Sequence, residues 1–275
     1  MKISKVWGVY FSATGATEKI VTNIAMTVAG VSGSEYRACS FSLPDERARP
    51  LTFSKEDFVV LGIPVYAGRV PNLLLPFIKE NIHGSGTLAT AVTVFGNRDF
   101  DDALIELRDI MQENGFYCIS AGAFVGEHSF SETLGAGRPD AADMALAQKL
   151  GEETAAKILT LSVPPSGAVP VKGNEPIRPY YTPRDRHGNT INILKVKPKT
   201  DGSKCLSCGL CSRVCTMGSI DPVNVSEITG VCTKCCACVK RCPTGAKYFD
   251  DEGYLYHKQE LEEMYAQRAG VELFY

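Results

Sequence analysis

The chain lacks an excess of charge of either sign: among 275 residues, 29 are Lys or Arg and 31 are Asp or Glu, leaving a net charge of −2. That balance gives no electrostatic reason to expect nucleic acid or an anionic membrane surface as a partner. No run of about 18 apolar residues is available to span a bilayer. The segment 1–6 passes directly into a strand-like run and has no signal-type apolar region. There is no nucleophile–His–acid pattern, no pair of carboxylates placed by a motif, and no interleaving of basic and aromatic residues. The lysine of G-x-x-x-x-G-K-[ST] and the spaced glycines of a dinucleotide fingerprint are also missing. No residue is marked as catalytic.

Cysteine, by contrast, is abundant, with eleven in the chain. Without a leader they point to a reducing cytoplasm rather than a disulfide framework. Eight fall in two runs, Cys205-x2-Cys208-x2-Cys211-x3-Cys215 and Cys232-x2-Cys235-x2-Cys238-x3-Cys242-Pro243. The second run repeats the first at an offset of 27 residues, and Gly218 and Gly245 keep the same offset. Three thiolates spaced by two residues wrap three corners of an iron–sulfur cube, and the fourth reaches across to the other cube. The expected ligand sets are Cys205, Cys208, Cys211 and Cys242 for one 4Fe-4S cluster, and Cys232, Cys235, Cys238 and Cys215 for the other.

The stretch 203–250 resembles a bacterial two-cluster ferredoxin, a small α+β domain. It departs from that pattern at Thr216, where a proline usually follows the fourth cysteine, as Pro243 does in the second run. Zinc is the competing reading, but zinc sites favour well-separated C-x2-C pairs. Cys39, Cys118 and Cys236 are left over: the first two read as small hydrophobes, and Cys236, beside Cys235, reads either as a competitor for iron or as lining of the cluster pocket, with no redox role required of any of the three. Charge over 203–256 is also near balance, so long-range steering of a partner is expected to be weak.

The length suggests two domains. Between them, residues 163–203 hold seven of the fifteen prolines and read as an extended connector. Its Tyr180–Tyr181 pair and the run 191–196 predict that parts of it drape on a surface. Upstream, runs at 6–11, 36–40, 58–65, 89–95 and 117–125 have strand composition and length. Stretches at 18–29, 73–81, 101–114 and 141–161 read as helices. Alternation of the two predicts a parallel sheet covered on both faces, with ligands beyond the carboxyl ends of the strands.

The loop after the first strand reads Ser12-Ala13-Thr14-Gly15-Ala16-Thr17. Hydroxyls and free N–H groups at a helix N-terminus suit a terminal monophosphate such as that of FMN; the same residues also make an ordinary helix cap. After strand three comes Pro64-Val65-Tyr66-Ala67-Gly68, continuing through Arg69, Val70 and Pro71; after strand four comes Phe95-Gly96-Asn97-Arg98. These loops suit a flat aromatic ring, with Tyr66 to stack on it and the Gly96–Asn97 backbone at its polar edge. Tyr66 also reads as a plain surface aromatic, and Arg98 as either a flavin-facing charge or a partner of Asp101 or Asp102. His128 reads as a solvated loop histidine.

Residues 1–161 resemble a flavodoxin on these three loops, and the whole chain is similar to flavodoxin–ferredoxin fusion proteins of anaerobic microbes. The resemblance implies a five-stranded parallel sheet of order 2-1-3-4-5, with helices on both faces. It implies FMN phosphate at Ser12, Thr14, Gly15 and Thr17, and the ring near Tyr66, Gly68, Gly96, Asn97 and Arg98. The implied organisation is a flavin domain at 1–162, a linker at 163–202, a two-cluster domain at 203–252 and a helical extension at 253–275. In that extension a helix is expected at 258–268, packed as a flap.

The expected function is transfer of low-potential electrons between a soluble redox partner, two 4Fe-4S clusters and FMN. One alternative is an FMN-dependent reductase of a small acceptor, such as a quinone or nitro compound, fed through the clusters. Another is a cluster-bearing scaffold without flavin.

Overall fold

The computed structural model describes residues 2–275, so Met1 lies outside the description. The first half alternates strands and helices: β1 (Lys5–Tyr10), α1 (Ala16–Ser32), β2 (Glu35–Ser40), β3 (Asp57–Pro64), α2 (Leu75–Asn81), β4 (Thr87–Phe95), α3 (Ala103–Glu113), β5 (Phe116–Val125) and α4 (Ala141–Thr160). Far downstream follow α5 (Glu252–Met264) and β6 (Glu272–Phe274). The sheet order is β2-β1-β3-β4-β5-β6, parallel except for β6.

Each strand position follows from its side chains. All nine residues of β4 are buried, as a central strand covered on both faces requires. Its three threonines are tolerated differently. Thr90 Oγ1 meets Ser120 Oγ at 2.7 Å, and Ser120 Oγ meets Thr154 Oγ1 at 2.7 Å, so these hydroxyls satisfy one another across the core. Thr87 donates to Phe53 O, whereas the Thr93 hydroxyl has no partner. On one face, α1 and α4 pack Ile20, Ile24, Leu150 and Ile158 against Val6, Val60 and Leu88. On the other, α2 and α3 bring Leu74, Ile78, Leu104 and Leu107 onto Val59, Leu61 and Ala91. Each such fully buried side chain stabilises the fold by about 1.5–3 kcal/mol.

The C-terminus corrects two expectations. Its helix runs from 252 to 264 rather than 258–268, because Asp251 caps the start by accepting from Tyr254 N at 2.9 Å. The chain then becomes extended and adds β6 antiparallel to β5, pairing Leu273 with Gly122. The sheet therefore has six strands, not five: after its helix α5 the extension also supplies a strand that closes the sheet edge.

Residues 161–198 cross the surface with little regular structure but many anchors. Val169 N donates to Cys118 O at 3.1 Å, and Asp102, almost fully buried, takes Asn174 and Arg178. Those donors hold the Asp102 carboxyl well below the usual carboxylate range, against the opposing effect of burial. Tyr181 N donates to Ala67 O at 2.8 Å, and Tyr180 Oη to Val70 O at 2.8 Å.

The cysteine-rich half is built as two similar turns. Short helical turns at Leu210–Arg213 and Ala237–Lys240 follow the second cysteine of each run. A two-stranded ladder joins Lys199–Thr200 to Lys247–Tyr248. The repeat extends to the backbone: Ser207 and Lys234, Gly209 and Cys236, and Gly218 and Gly245 all have positive φ. This half is docked on the first, with Ala237 in the main core and Lys240 paired with Glu127. Among the described residues, no helix is long and apolar enough to cross a membrane.

Candidate functional site

A cleft opens at the carboxyl ends of β1, β3 and β4. Its first wall is the loop before α1. Gly15 sits at φ +101°, a left-handed position that glycine fills without strain, and serves as the N-cap. Ser12 Oγ accepts from Glu18 N at 3.1 Å, while Ser12 N donates to Ser42 Oγ at 2.8 Å. Among the described residues, the backbone N–H groups of Ala13, Thr14, Gly15, Ala16 and Thr17 have no protein acceptor. Five free donors at a helix N-terminus form an anion cradle. Ser12, Ala13, Thr14, Ala16 and Thr17 line the cleft here, opposite Pro64, Val65 and Tyr66.

The second wall is a tight turn. Tyr66 N donates to Arg69 O at 3.0 Å, and Arg69 N to Tyr66 O at 3.1 Å, with Ala67 at φ +51° and Gly68 at φ +77° between them. Positive φ at both central residues is the type I′ arrangement. Gly68 is required: a Cβ there would lie 2.5 Å from Asp101 Oδ2. Arg69 makes a two-point ion pair with Glu106, at 2.7 and 2.6 Å, and lies 4.8 Å from the Tyr180 ring. Helix α3 and the connector thus clamp the turn and aim Tyr66 into the cleft.

The third wall is the loop after β4, where Phe95 and Gly96 line the cleft and Arg98 lines its wider end. Arg98 pairs with Asp101 and lies 4.9 Å from the Tyr181 ring. Asn97 goes elsewhere. It is buried at φ +64°, its Nδ2 donates to Tyr265 O and Gln267 O, and its Oδ1 accepts from Ala269 N. Its side chain anchors the C-terminal tail.

His128 overturns the expectation of a solvated loop. Its ring packs on Gly96, where a Cβ would lie 2.4 Å from His128 Cδ2, and it meets Phe130 edge-on at 5.2 Å. Phe130 N donates to His128 Nδ1 at 3.2 Å, which puts the ring proton on Nε2. Burial, then the positive charges of His257, Lys240 and Arg98, lower its pKa to about 4. Sequence patterning did not single out His257 or Thr233, which also line the wider end with Leu261, Pro183, Ile193 and Leu194. They come from the helix α5, the cysteine turns and the connector, joined only by the fold. This end encloses about 320 Å³.

The eight cysteines of the two runs surround two further cavities. One is lined by Cys205, Cys208, Cys211 and Cys242, the other by Cys215, Cys232, Cys235 and Cys238 together with a fifth cysteine, Cys236. No two of the eleven cysteines are joined in a disulfide. Ser219 N donates to Cys215 Sγ at 3.3 Å, and at the matching place in the repeat Ala246 N donates to Cys242 Sγ at 3.3 Å. Lys234 N donates to Cys232 Sγ at 3.4 Å. Cys236 is buried beside Tyr254 Oη at 3.5 Å, and burial pushes its thiol up to about 12. Cys235 lines both its own cavity and the cleft. Tyr66 stands between the two: burial raises its phenol well above the ordinary value, and Cys235, Cys236 and Cys232 add to that.

The sheet order and the cleft at its carboxyl edge define a flavodoxin-like α/β domain. Solved structures with a similar outline include an archaeal flavodoxin, 18% identical over 56% of this chain and 99% of its own, TM-score 0.42. Flavodoxin 2 of Bacillus cereus is 16% identical over 56% of this chain and 99% of its own, TM-score 0.41. The Fusobacterium nucleatum flavodoxin bound to flavin mononucleotide is 15% identical over 57% and 98%, TM-score 0.34. At these scores the likeness is weak, and the class rests on the sheet itself. No family model matches the chain, and no curated protein matches it.

Proposed function

We propose that the chain is an electron-transfer flavo-iron–sulfur protein, with FMN in the cleft and a 4Fe-4S cluster in each cysteine cavity. In this reading residues 1–162 hold the flavin, 203–252 hold the clusters, and 163–202 strap the two together. The observation that carries it is the position of Cys235, shared by the wall of the cleft and by one of the two cysteine cavities.

The residues present suit both groups. The free amides and hydroxyls of Thr14 and Thr17 fit a monophosphate, with no lysine needed. Among the described residues, no three His, Cys, Asp or Glu side chains converge closely enough for a single metal ion. Four thiols around one cavity and five around the other, spaced as two repeated runs, fit a larger cluster better than zinc. Thr233 Oγ1 is buried without a partner on the wall that the cleft shares with the second cysteine cavity, which leaves a donor for an acceptor there. FMN, when bound, exchanges two electrons in separable steps and each cluster one, so their joining converts pair-wise into single-electron chemistry.

The chain's own part is to hold, cover and space these groups. Tyr66 and the Gly96–His128 contact shape the ring site, and the connector adds Tyr181, Pro183, Ile193 and Leu194 to its wall. The Lys240–Glu127 pair and the Lys240 Nζ bond to Ser131 O at 2.7 Å fix the cysteine half against the cleft. Holding the halves in contact replaces a collisional encounter.

The wider end of the cleft favours a second reading, a reductase of a small acceptor such as a quinone or nitro compound. Its volume reaches the roughly 300–1,000 Å³ range of small-molecule pockets, and it extends beyond the ring loops to Ile193, Leu194 and Leu261.

Anaerobic purification with iron, sulfide and FMN counted on one sample tests the proposal. Eight iron, eight sulfide and one FMN per chain is the expected result for two cubanes and one flavin; a colourless protein without iron removes the proposal. Slow reoxidation of the reduced protein by added quinones and nitroaromatics supports a carrier, and rapid reoxidation by one class supports the reductase.

A further inference from the structure

The two cysteine turns match at an offset of 27 residues, and one of the positions where they differ touches a cysteine that lines the cleft. Thr216 follows Cys215, where Pro243 follows Cys242 in the other half. Thr216 is 1% exposed, and its Oγ1 lies 3.5 Å from Cys235 Sγ. Its backbone is also held: Arg47 Nη2 donates to Thr216 O at 2.5 Å, while Arg47 Nη1 donates to Phe41 O at 2.7 Å and Ser42 O at 2.9 Å. The loop after β2 therefore fixes the threonine whose hydroxyl reaches Cys235. The matching pair, Pro243 and Cys208, has no hydroxyl, and Cys208 is exposed.

We infer that the Thr216 hydroxyl sets the reduction potential of the cluster nearest the cleft by donating to Cys235 Sγ. The inference rests on the cluster reading above. In the free thiol either atom can donate. Once the sulfur is a metal-bound thiolate it has no proton, and only the hydroxyl can. Adding one electron to the cluster forms and breaks no bond but adds one negative charge, shared by the cysteine sulfurs. A donor on sulfur stabilises the reduced form more than the oxidised one and so raises the potential.

Both halves supply backbone donors to their sulfurs: Ser219 N and Lys234 N in the set near the cleft, and the Ala246, Thr244 and Lys247 amides on Cys242 with the Ser212 amide on Cys211 in the other. The hydroxyls differ: Thr216 Oγ1 reaches Cys235 Sγ at 3.5 Å, whereas Thr244 Oγ1 stands at 3.7 Å from Cys242 Sγ. Burial works in the opposite sense, since Cys238 is buried while Cys208 is exposed, and a buried site disfavours added charge. The hydroxyl offsets that penalty on the side facing the flavin site.

The test is a redox titration monitored by electron paramagnetic resonance, with iron, sulfide and FMN counted on each sample. In Thr216→Val, which keeps shape and loses the donor, one of the two cluster potentials moves down and the other stays. Thr216→Ser keeps the wild-type value. Should Thr216→Val lose iron, Thr216→Pro, the residue carried by the matching turn, is read in the same way. Two clusters with both potentials unmoved in a donor-free variant overturns the inference and leaves the functional reading intact. A wild-type protein without clusters overturns both.

Discussion

Asn97 Nδ2 donates to Tyr265 O at 2.7 Å, tying the loop after β4 to the residue that ends α5, 168 positions away in sequence. The same side chain reaches Gln267 O at 2.8 Å and accepts from Ala269 N at 3.1 Å. One amide thereby satisfies three backbone groups of a segment that has no helix or strand of its own. Arg138 Nη1 adds a bond to Ala269 O at 2.7 Å, and Arg268 pairs with Asp140 at 2.6 Å.

Replacing Asn97 by Ala leaves these groups unpaired and is expected to cost about 2 kcal/mol. The loss should be local first. Hydrogen exchange in 265–274 is expected to rise by a factor of ten or more while β3 and β4 keep their protection. Equal protection of the tail in wild type and variant would show that β6 pairing alone holds it.

The main sheet was legible in the chain because its strands are long, apolar and separated by helices with a clear period. The loop after β1 was legible for a similar reason, since Ser12, Thr14 and Gly15 lie between a strand and a helix in direct sequence. The grouping of the eight cysteines depends on short-range spacing on two tight turns, which a sequence displays directly. What was hidden depends on contacts between distant segments. β6 is three residues long and is a strand only because β5 offers it an edge. The burial of His128 comes from a glycine 32 positions earlier that lets its ring approach. The expectation at Asn97 concerned its backbone beside Gly96; that its left-handed backbone turns the side chain to the tail depends on a segment far away in sequence.

On the proposed cluster reading, removing iron should unfold one half and spare the other. The cysteine half has only small hydrophobic clusters of its own: one centres on Ile220, Val225 and Cys238, the other on Cys236, Phe249 and Tyr254. Thiols that fill a core this small make the metal part of the folding energy. Treatment with a strong chelator under mild oxidation is expected to abolish amide protection in 199–250, with far-UV signal from α1, α3 and α4 retained. Retained protection in 199–250 after complete loss of iron would mean that the half folds without a cluster.

The loop before α1 can be tested one oxygen at a time. Ser12→Ala removes the acceptor for Glu18 N, a capping loss of about 1 kcal/mol. Thr17→Val removes a hydroxyl that has no protein partner and keeps its volume, which matters because its methyl lies close over Gly62, where a Cβ would be 3.2 Å from Thr17 Cγ2. Thr17→Val is therefore expected to leave the melting temperature near the wild-type value and to weaken FMN binding about tenfold, the cost of one hydrogen bond to a charged group. Fluorescence quenching of free FMN by apoprotein measures this; unchanged affinity would place the phosphate away from Thr17.

His128 gives the protein a predictable sensitivity to acid. Its folded pKa is about 4 against an ordinary value of 6.5, with burial as the first cause and His257, Lys240 and Arg98 as the charges facing it. His257 shifts the same way, through burial and Arg98, with Glu260 opposing. Between pH 6.5 and 4 the unfolded chain binds a proton at His128 that the folded chain does not. Stability is therefore at its full value above about pH 7 and falls as pH drops through that window. The His128 share between pH 7 and 5 is up to about 2 kcal/mol. His128→Asn keeps an acceptor within reach of Phe130 N and removes the titration, so its urea midpoint should change less between pH 7 and 5 than that of the wild type. Equal slopes for the two proteins would mean that the His128 ring is hydrated and titrates near its ordinary value.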